Sequence, residues 1–226
     1  MLSITLAGEE AILHPGGSLL LPAHRTLLVA DAHFGKAVSF RRLGVPVPEA
    51  TTTATLTALT RAIADTQAAH VVFLGDFLHS ARARAPATLA ELRAWRDAHA
   101  GVGMTLVRGN HDARAGDPPA DLRIDVVDEP LPLGPFALCH HPRPRADAYV
   151  LAGHWHPCVS VRGRAFDRLR LPCFWMGDDT GRVPSRGVGV LPAFGSFTGM
   201  HPIDVLAGDR IYAIADGTVR ALPLVA

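Results

Sequence analysis

Cysteine is scarce in this chain of 226 residues, and no two cysteines have the CxxC spacing of a metal or redox pair. The three cysteines, Cys139, Cys158 and Cys173, lie mostly in apolar segments. This pattern predicts buried thiols in a reducing compartment. It argues against a disulfide framework and against a structural zinc site.

An excess of charge of either sign is also missing, since 22 Lys and Arg face 21 Asp and Glu. Overall charge therefore neither predicts nor excludes a nucleic-acid partner. No apolar run approaches the roughly 18 residues that a membrane-spanning helix needs. The early residues Glu9 and Glu10 do not fit a signal peptide. We expect a soluble cytoplasmic protein with no membrane partner.

Two phosphate-binding loops are absent as well. The sequence has no GxxxxGK[ST] motif and no GxGxxG after a strand-like segment, so it supports neither a nucleoside-triphosphate loop nor a dinucleotide fold. It also has no internal repeat and no clear linker. Together with the length, this predicts a single domain spanning residues 1–226.

Histidine, in contrast, is abundant: the chain has 12, and seven of them fall in short motifs. Five apolar, strand-like segments each end in residues that bind metals or move protons. The segments are Thr26–Ala30, His70–Leu74, Met104–Val107, Phe136–Cys139 and Tyr149–Ala152. The motifs that follow them are Asp31-Ala-His33, Gly75-Asp76-Phe-Leu-His79, Gly109-Asn110-His111-Asp112, His140-His141 and Gly153-His154-Trp155-His156. Each motif alone fits an ordinary turn, but strand ends are also where α/β proteins place their chemistry.

Helical spacing of apolar residues predicts helices at Glu49–Ala68 and Pro86–Ala100, between the early strands. Strands alternating with helices indicate a parallel sheet with right-handed crossovers. From Leu122 to Leu224 the pattern changes to strands joined by Pro and Gly turns, starting with Leu122–Val127 and including Val188–Ala193. We expect two sheets packed face to face, with the early helices outside.

Taken together, the motifs offer carboxylate, imidazole and amide ligands without a thiolate. Such a set suits Mn, Fe or Zn and does not discriminate among them. The ligands are too many for one open metal site and about enough for two ions. Two ions about 3.5–4 Å apart need a bridging carboxylate and favour in-line attack on phosphorus.

As an ordered set over residues 31–156, the motifs resemble those of the calcineurin-like metallophosphoesterases. The resemblance implies an α/β fold, a four-layer αββα sandwich of two packed mixed sheets flanked by helices. It implies a two-metal centre, with Asp76 as the bridge and His111 as a general acid that Asp112 orients. One ion would be held by Asp31, His33, Asp76 and His156, and the other by Asp76, Asn110, His140 and His154.

Longer segments, including Asp31–Lys36, Gly75–Ser80 and Leu171–Trp175, are similar to the bacterial ligase-associated DNA-damage-response endonucleases, the PdeM subfamily. This likeness implies a manganese-dependent phosphodiesterase and DNA endonuclease that attacks with a metal-bound hydroxide. It also implies a role in DNA repair on single-stranded or nicked DNA, alongside a DNA helicase and an ATP-dependent DNA ligase. Two alternatives stay open: a phosphoesterase for small molecules or cyclic nucleotides, and a metal-free scaffold on the same fold.

Some residues near the motifs allow two interpretations each. His79, Arg108, Lys36 and Arg143 are candidate contacts for the substrate phosphate, although basic residues are usually solvated surface. His141 could replace its neighbour as a ligand, but we favour His140, because His141 precedes Pro142 and is restricted by it. Trp155 could stack on a base, or it could simply pack against its neighbours.

Overall fold

The structure is a computed structural model that describes residues 1–42, 44–47, 51–162, 168–177 and 187–223. Its first seven strands are β1 (Leu2–Leu6), β2 (Glu9–Leu13), β3 (Leu19–Leu21), β4 (Thr26–Val29), β5 (His70–Leu74), β6 (Gly103–Val107) and β7 (Asp125–Val127). Its helices are α1 (Lys36–Arg42), α2 (Thr51–Thr66), α3 (Pro86–Ala98) and α4 (Asp112–Ala115). The later strands are β8 (Leu131–Leu133), β9 (Phe136–Leu138), β10 (Tyr149–Ala152), β11 (Pro157–Arg162), β12 (Arg168–Met176), β13 (Val188–Val190), β14 (His201–Pro202), β15 (Arg210–Ala215) and β16 (Thr218–Leu222).

The first sheet contains β1 to β7 in sequence order. Strands β1 to β4 pair antiparallel, whereas β4, β5, β6 and β7 are parallel, with α1 and α2 between β4 and β5 and α3 between β5 and β6. The predicted parallel arrangement is therefore confirmed. The central strands read as continuous apolar runs because both of their faces are buried.

The second sheet has nine strands, and its main path is β14-β11-β12-β13-β10-β9-β8. Strand β10 pairs parallel with both β9 and β13, while β12 pairs antiparallel with β11. The last residues of β12 pair with β13 on one side and with β15 on the other. This sheet is therefore mixed, like the first.

The two sheets pack face to face through a shared apolar core. Leu28 and Leu74 of the first sheet belong to the same buried cluster as Leu138, Leu151 and Phe174 of the second. Each fully buried side chain of this size stabilises the fold by about 1.5–3 kcal/mol. The prediction of two packed mixed sheets with helices is confirmed.

On the outer face of the first sheet, α2 and α3 bury one side each. Leu59 of α2 and Leu92 of α3 join Val71 and Phe73 of β5 in a second core. The helices that the structure describes all precede residue 123, and none of them is both long and apolar enough to cross a membrane.

Several predicted boundaries differ from the structure. Helix α3 ends at Ala98 rather than Ala100, and the first residues predicted for α2, Glu49 and Ala50, lie outside the described residues, as does Leu224. The strand predicted at Leu122–Val127 begins only at Asp125, because Ala120–Leu122 is a 3₁₀ turn that ends in a left-handed Arg123. The strand predicted at Val188–Ala193 stops at Val190, two residues before a proline.

Two further strands, β8 and β14, were not predicted from the sequence pattern. Each contains a proline, Pro132 or Pro202, which cannot donate a hydrogen bond to a neighbouring strand. Both strands lie at ends of the main path of the second sheet, where a proline is tolerated.

Candidate metal centre

Residues from the five motifs meet at one edge of the two sheets and form two adjoining groups. In the first group, His33 Nε2 lies 3.4 Å from His156 Nε2 and 3.7 Å from Asp76 Oδ2. His156 Nε2 is also 3.5 Å from Asp31 Oδ1. The four side chains predicted to share one ion are therefore neighbours.

The second group surrounds His140, whose side chain is fully buried. Its Nε2 lies 2.9 Å from Asn110 Oδ1, 3.0 Å from His154 Nδ1 and 3.5 Å from Asp76 Oδ1. Asp76 thus turns one carboxylate oxygen toward each group, which is the arrangement that a bridging ligand requires.

These donors fit divalent ions in both spacing and chemistry. Atoms about 2.1 Å from one ion in a tetrahedral site lie roughly 3.4 Å from each other, close to the spacing of the first group. Asp31 Oδ1 is buried and has no hydrogen-bond partner among the described residues. Because a buried carboxylate oxygen without a hydrogen bond is costly, a cation is a partner that would satisfy this oxygen.

The imidazoles are held in the state that metals require. Burial, reinforced by neighbouring His156, lowers the pKa of His33 to about 2. Burial and then His140 lower the pKa of His154. Neutral imidazole is the metal-binding form, so protons compete weakly for these nitrogens.

Backbone carbonyls orient two of the rings. His140 Nδ1 donates to Leu74 O at 3.0 Å, and His156 Nδ1 donates to Gly199 O at 3.1 Å. Each bond puts the ring hydrogen on Nδ1 and leaves the Nε2 lone pair facing the site.

Backbone strain is also concentrated in these motifs. Five of the ten non-glycine residues with positive φ in the described part of the chain belong to the predicted ligand set: Asp31, His33, Asp76, His154 and His156. Left-handed conformations of such residues persist only where the surroundings enforce them, and they collect at functional sites.

Three glycines allow the motifs to close on one another. A Cβ at Gly75 would collide with the ring of His140, and one at Gly109 would collide with Asp76. A Cβ at Gly153 would meet the carboxylate of Asp31. Each motif glycine therefore makes room for a predicted ligand from another motif.

Replacing Gly75 by alanine is expected to weaken metal binding at least tenfold, because displacing an orienting contact of a ligand typically costs that much. Gly8 is a matched control, since its φ of 82° is close to the 80° of Gly75 but no atom lies within 4 Å of its Cβ position. Gly8→Ala should cost only the left-handed strain, about 1–2 kcal/mol, and keep its metal. Metal titration and thermal unfolding of both variants check this, and equal metal affinities would contradict it.

His140, His141 and His154 lie close enough to one another to share an ion, and position favours His140 over His141 as the ligand. His141 Nδ1 pairs with Glu129 Oε1 at 2.9 Å, so this side of the ring is already occupied. Glu129 Oε2 also accepts the backbone N–H groups of His140 and His141, at 2.8 and 2.9 Å. Sequence reasoning missed Glu129, because it belongs to none of the five motifs, although it comes two residues after the strand predicted at Leu122–Val127.

His111 lies at the mouth of the site. Its Nδ1 donates to His79 O at 2.6 Å, and its Nε2 is 3.9 Å from Asp76 Oδ2. The His79 ring stacks on it, with centroids 4.9 Å apart. Nε2 is therefore the nitrogen available to exchange a proton with a bound molecule.

Asp112 has a different place from the one predicted. Its Oδ1 accepts the N–H groups of Phe77 and Leu78 at 3.0 and 3.2 Å, and its Oδ2 accepts that of Gly109 at 3.0 Å. Burial raises the pKa of Asp112, while these backbone hydrogen bonds oppose the rise. The prediction that Asp112 orients the His111 ring by direct contact is wrong, since the His79 carbonyl does so and this carboxylate is used on the backbone.

Two of the four candidate phosphate contacts, Lys36 and His79, lie close to the predicted metal ligands. Lys36 is half-buried near the site; burial lowers its pKa, and Asp31 and Asp76 counteract this. His79 lies 3.4 Å from His33, Nδ1 to Nδ1, whereas Arg143 is exposed.

Arg108 is held away from this role by two carboxylates. Its guanidinium makes a two-pronged contact with Asp117 at 2.7 and 2.8 Å and reaches Asp128 at 2.6 Å. These contacts raise the pKa of Arg108 and use its donors. The geometry does not support the predicted phosphate contact.

For DNA, the substrate that the motif resemblance implies, we expect Arg108→Ala to leave the KM within about twofold of wild type, whereas Lys36→Ala raises it and reduces the salt slope of binding by about one. The reason is that only Lys36 has its charge beside the metal ligands. Steady-state kinetics across a salt series measure both effects. A rise in KM for Arg108→Ala as large as that for Lys36→Ala would restore the phosphate contact to Arg108.

One solved structure is similar to this chain over nearly the whole of its length. The structure of Pseudomonas putida nuclease MPE matches with a TM-score of 0.83 and 44% identity, over 98% of this chain and 99% of that one. Two others match weakly at 16% identity: Yfce, a phosphoesterase from E. coli (TM-score 0.41, 87% of this chain and 97% of that one), and AQ665 of Aquifex aeolicus, a protein of unknown function (TM-score 0.38, 57% and 77%). A scan against family models gives no match, and neither does a search of curated proteins.

The identity to the Pseudomonas nuclease extends over nearly the whole of both chains, and the two folds agree. The chain is a calcineurin-like metallophosphoesterase and belongs to the same family as that nuclease.

Proposed function

We propose that this protein is a two-metal phosphodiesterase that cleaves DNA internally. The observation that carries the proposal is the position of Asp76, with one oxygen facing His33 and the other facing His140. A related chain at 44% identity is a nuclease, which supports DNA as the substrate.

In this proposal the two groups of donors hold the ions. Asp31, His33, Asp76 and His156 bind one, and Asp76, Asn110, His140 and His154 bind the other. When bound, such ions activate a water molecule and offset the charge that develops on the phosphate.

The remaining residues act on the substrate. His111, held through Nδ1 by the His79 carbonyl, presents Nε2 to the departing oxygen and protonates it. Lys36 and the His79 ring face the phosphate. Asp112 fixes the loops after β5 and β6, so that Asp76 and His111 keep their spacing.

The test is cleavage of single-stranded and plasmid DNA beside a phosphate monoester and a phosphodiester, with manganese and with a chelator. We expect manganese-dependent nicking of DNA and hydrolysis of the diester over the monoester. Diester turnover without DNA cleavage at any salt concentration would point instead to a small-molecule or cyclic-nucleotide substrate. Failure to retain a transition metal after manganese-supplemented expression would favour the scaffold.

Three further parts complete the proposal, the first two implied by the resemblance and the third by the length and the lack of a clear linker. They are the preference for manganese, the role in DNA repair with a helicase and an ATP-dependent ligase, and the action of residues 1–226 as one domain. Pull-down of the two enzymes from cells after DNA damage tests the second of these.

A further inference from the structure

Beside the metal ligands lies a cavity of about 420 Å³ that the proposed chemistry does not use. Its walls include His154, Trp155, Trp175, His201, Ile203 and Asp204. The cavity is within the size range of small-ligand sites. Because His154 is one of its walls, a molecule in the cavity adjoins anything bound at the second group of donors.

The indole rings of Trp155 and Trp175 form the aromatic part of the cavity wall. Trp155 lies between two predicted ligands in sequence, yet 42% of its surface is exposed. Its ring centroid is 5.4 Å from that of Trp175, at an interplanar angle of 45°. An exposed tryptophan keeps a large apolar face in water, and that face suits stacking by a flat ring.

The second indole is fixed before any ligand arrives. Trp175 Nε1 donates to Asp209 Oδ2 at 2.9 Å, and the same oxygen accepts the N–H of Leu206 at 2.8 Å. On the other wall, β14 pairs with β11, and His201 N donates to His156 O at 3.0 Å. A prearranged wall loses less conformational entropy on binding.

We propose that the Trp155–Trp175 cavity is a subsite for one nucleobase of the strand whose phosphate lies at the metal centre. The proposal rests on the proposed function and adds where the adjacent nucleoside goes. Stacking on the indoles accepts any base, since every base has a π face. Asp204 and His201, two exposed residues that line the cavity, offer polar groups to the hydrogen-bonding edge of the base.

The experiment compares a single-stranded oligothymidylate with the same strand carrying abasic tetrahydrofuran residues in place of the thymidines. Base stacking on an aromatic side chain changes binding by about 5- to 100-fold, so wild type should show a KM at least about fivefold higher for the abasic strand. Trp155→Ala should bring the ratio of the two KM values close to one. Trp155→Phe should keep most of the discrimination.

The ratio is measured on one preparation, so a loss of active protein cancels. Leu169→Ala, which removes a side chain that is 60% exposed on β12, is the control and should keep the wild-type ratio. A wild-type ratio of one, or an unchanged ratio in Trp155→Ala, overturns the subsite. Failure of the proposed function looks different, because then neither strand is cut although a simple methyl nitrophenyl phosphodiester still is.

Discussion

The Asp76→Asn variant is expected to bind at most one metal ion per chain and to lose about 10²–10⁴-fold in the rate of diester hydrolysis. Replacing one bridging oxygen by an amide nitrogen removes the charge shared between the two groups, and metal-derived stabilisation of a phosphate transition state amounts to several kcal/mol. Elemental analysis and kinetics with manganese in excess measure the two effects. Two tightly bound ions with a rate within tenfold of wild type would refute the bridging role.

Asp97→Asn is a suitable control for this variant. Asp97 pairs with Arg123 on the surface, at 2.6 Å, and exposed pairs of this kind contribute little to stability. It should keep both ions and full activity.

Stability gives a further check on Asp76→Asn. Asp76 repels the buried carboxylate of Asp112, and this repulsion helps to raise the pKa of Asp112. Without metal, Asp76→Asn should therefore unfold at a temperature no lower than wild type, so lost activity would not come from lost folding.

His111→Ala should separate substrates by their leaving groups. Loss of a general acid costs about 10²–10⁴-fold for DNA or an alkyl diester, whose departing alkoxide needs a proton. A nitrophenyl diester, which departs without such help, should lose less than about tenfold. Initial rates on both substrates decide the matter, and equal losses would exclude proton donation by His111.

His24→Ala controls for the general effect of removing an imidazole. His24 pairs with Glu9 at 3.0 Å, away from the five motifs, and should leave both rates unchanged.

The positions of the predicted ligands could be anticipated because they depend on topology. Parallel strands bring their carboxyl ends to one edge, so residues such as Asp31 and Asn110 converge whatever their side-chain rotamers. The preference for His140 over His141 followed from the restriction that Pro142 imposes, and the structure places His140 inward.

Other features depend on contacts that no spacing encodes. Asp112 was expected beside the His111 ring, but a carboxylate next to unpaired N–H groups at strand ends is drawn to them instead. Arg108 and Asp117 meet only because the chain turns back after α4. Glu129 lies just before β8, an edge strand that was not predicted because it contains Pro132. From there its carboxylate accepts the backbone N–H of His140.

The carboxylate of Asp112 ties together the segments that follow two different strands, through Phe77, Leu78 and Gly109. Because this carboxylate is bonded to both segments, a shift of one loop also moves the other. A mutational survey scored only by turnover would class Asp112 with the groups that move protons. Its removal, however, should broaden the spectra of the bound metals and speed up amide exchange at these three positions. Both changes are expected when the two loops lose their fixed positions.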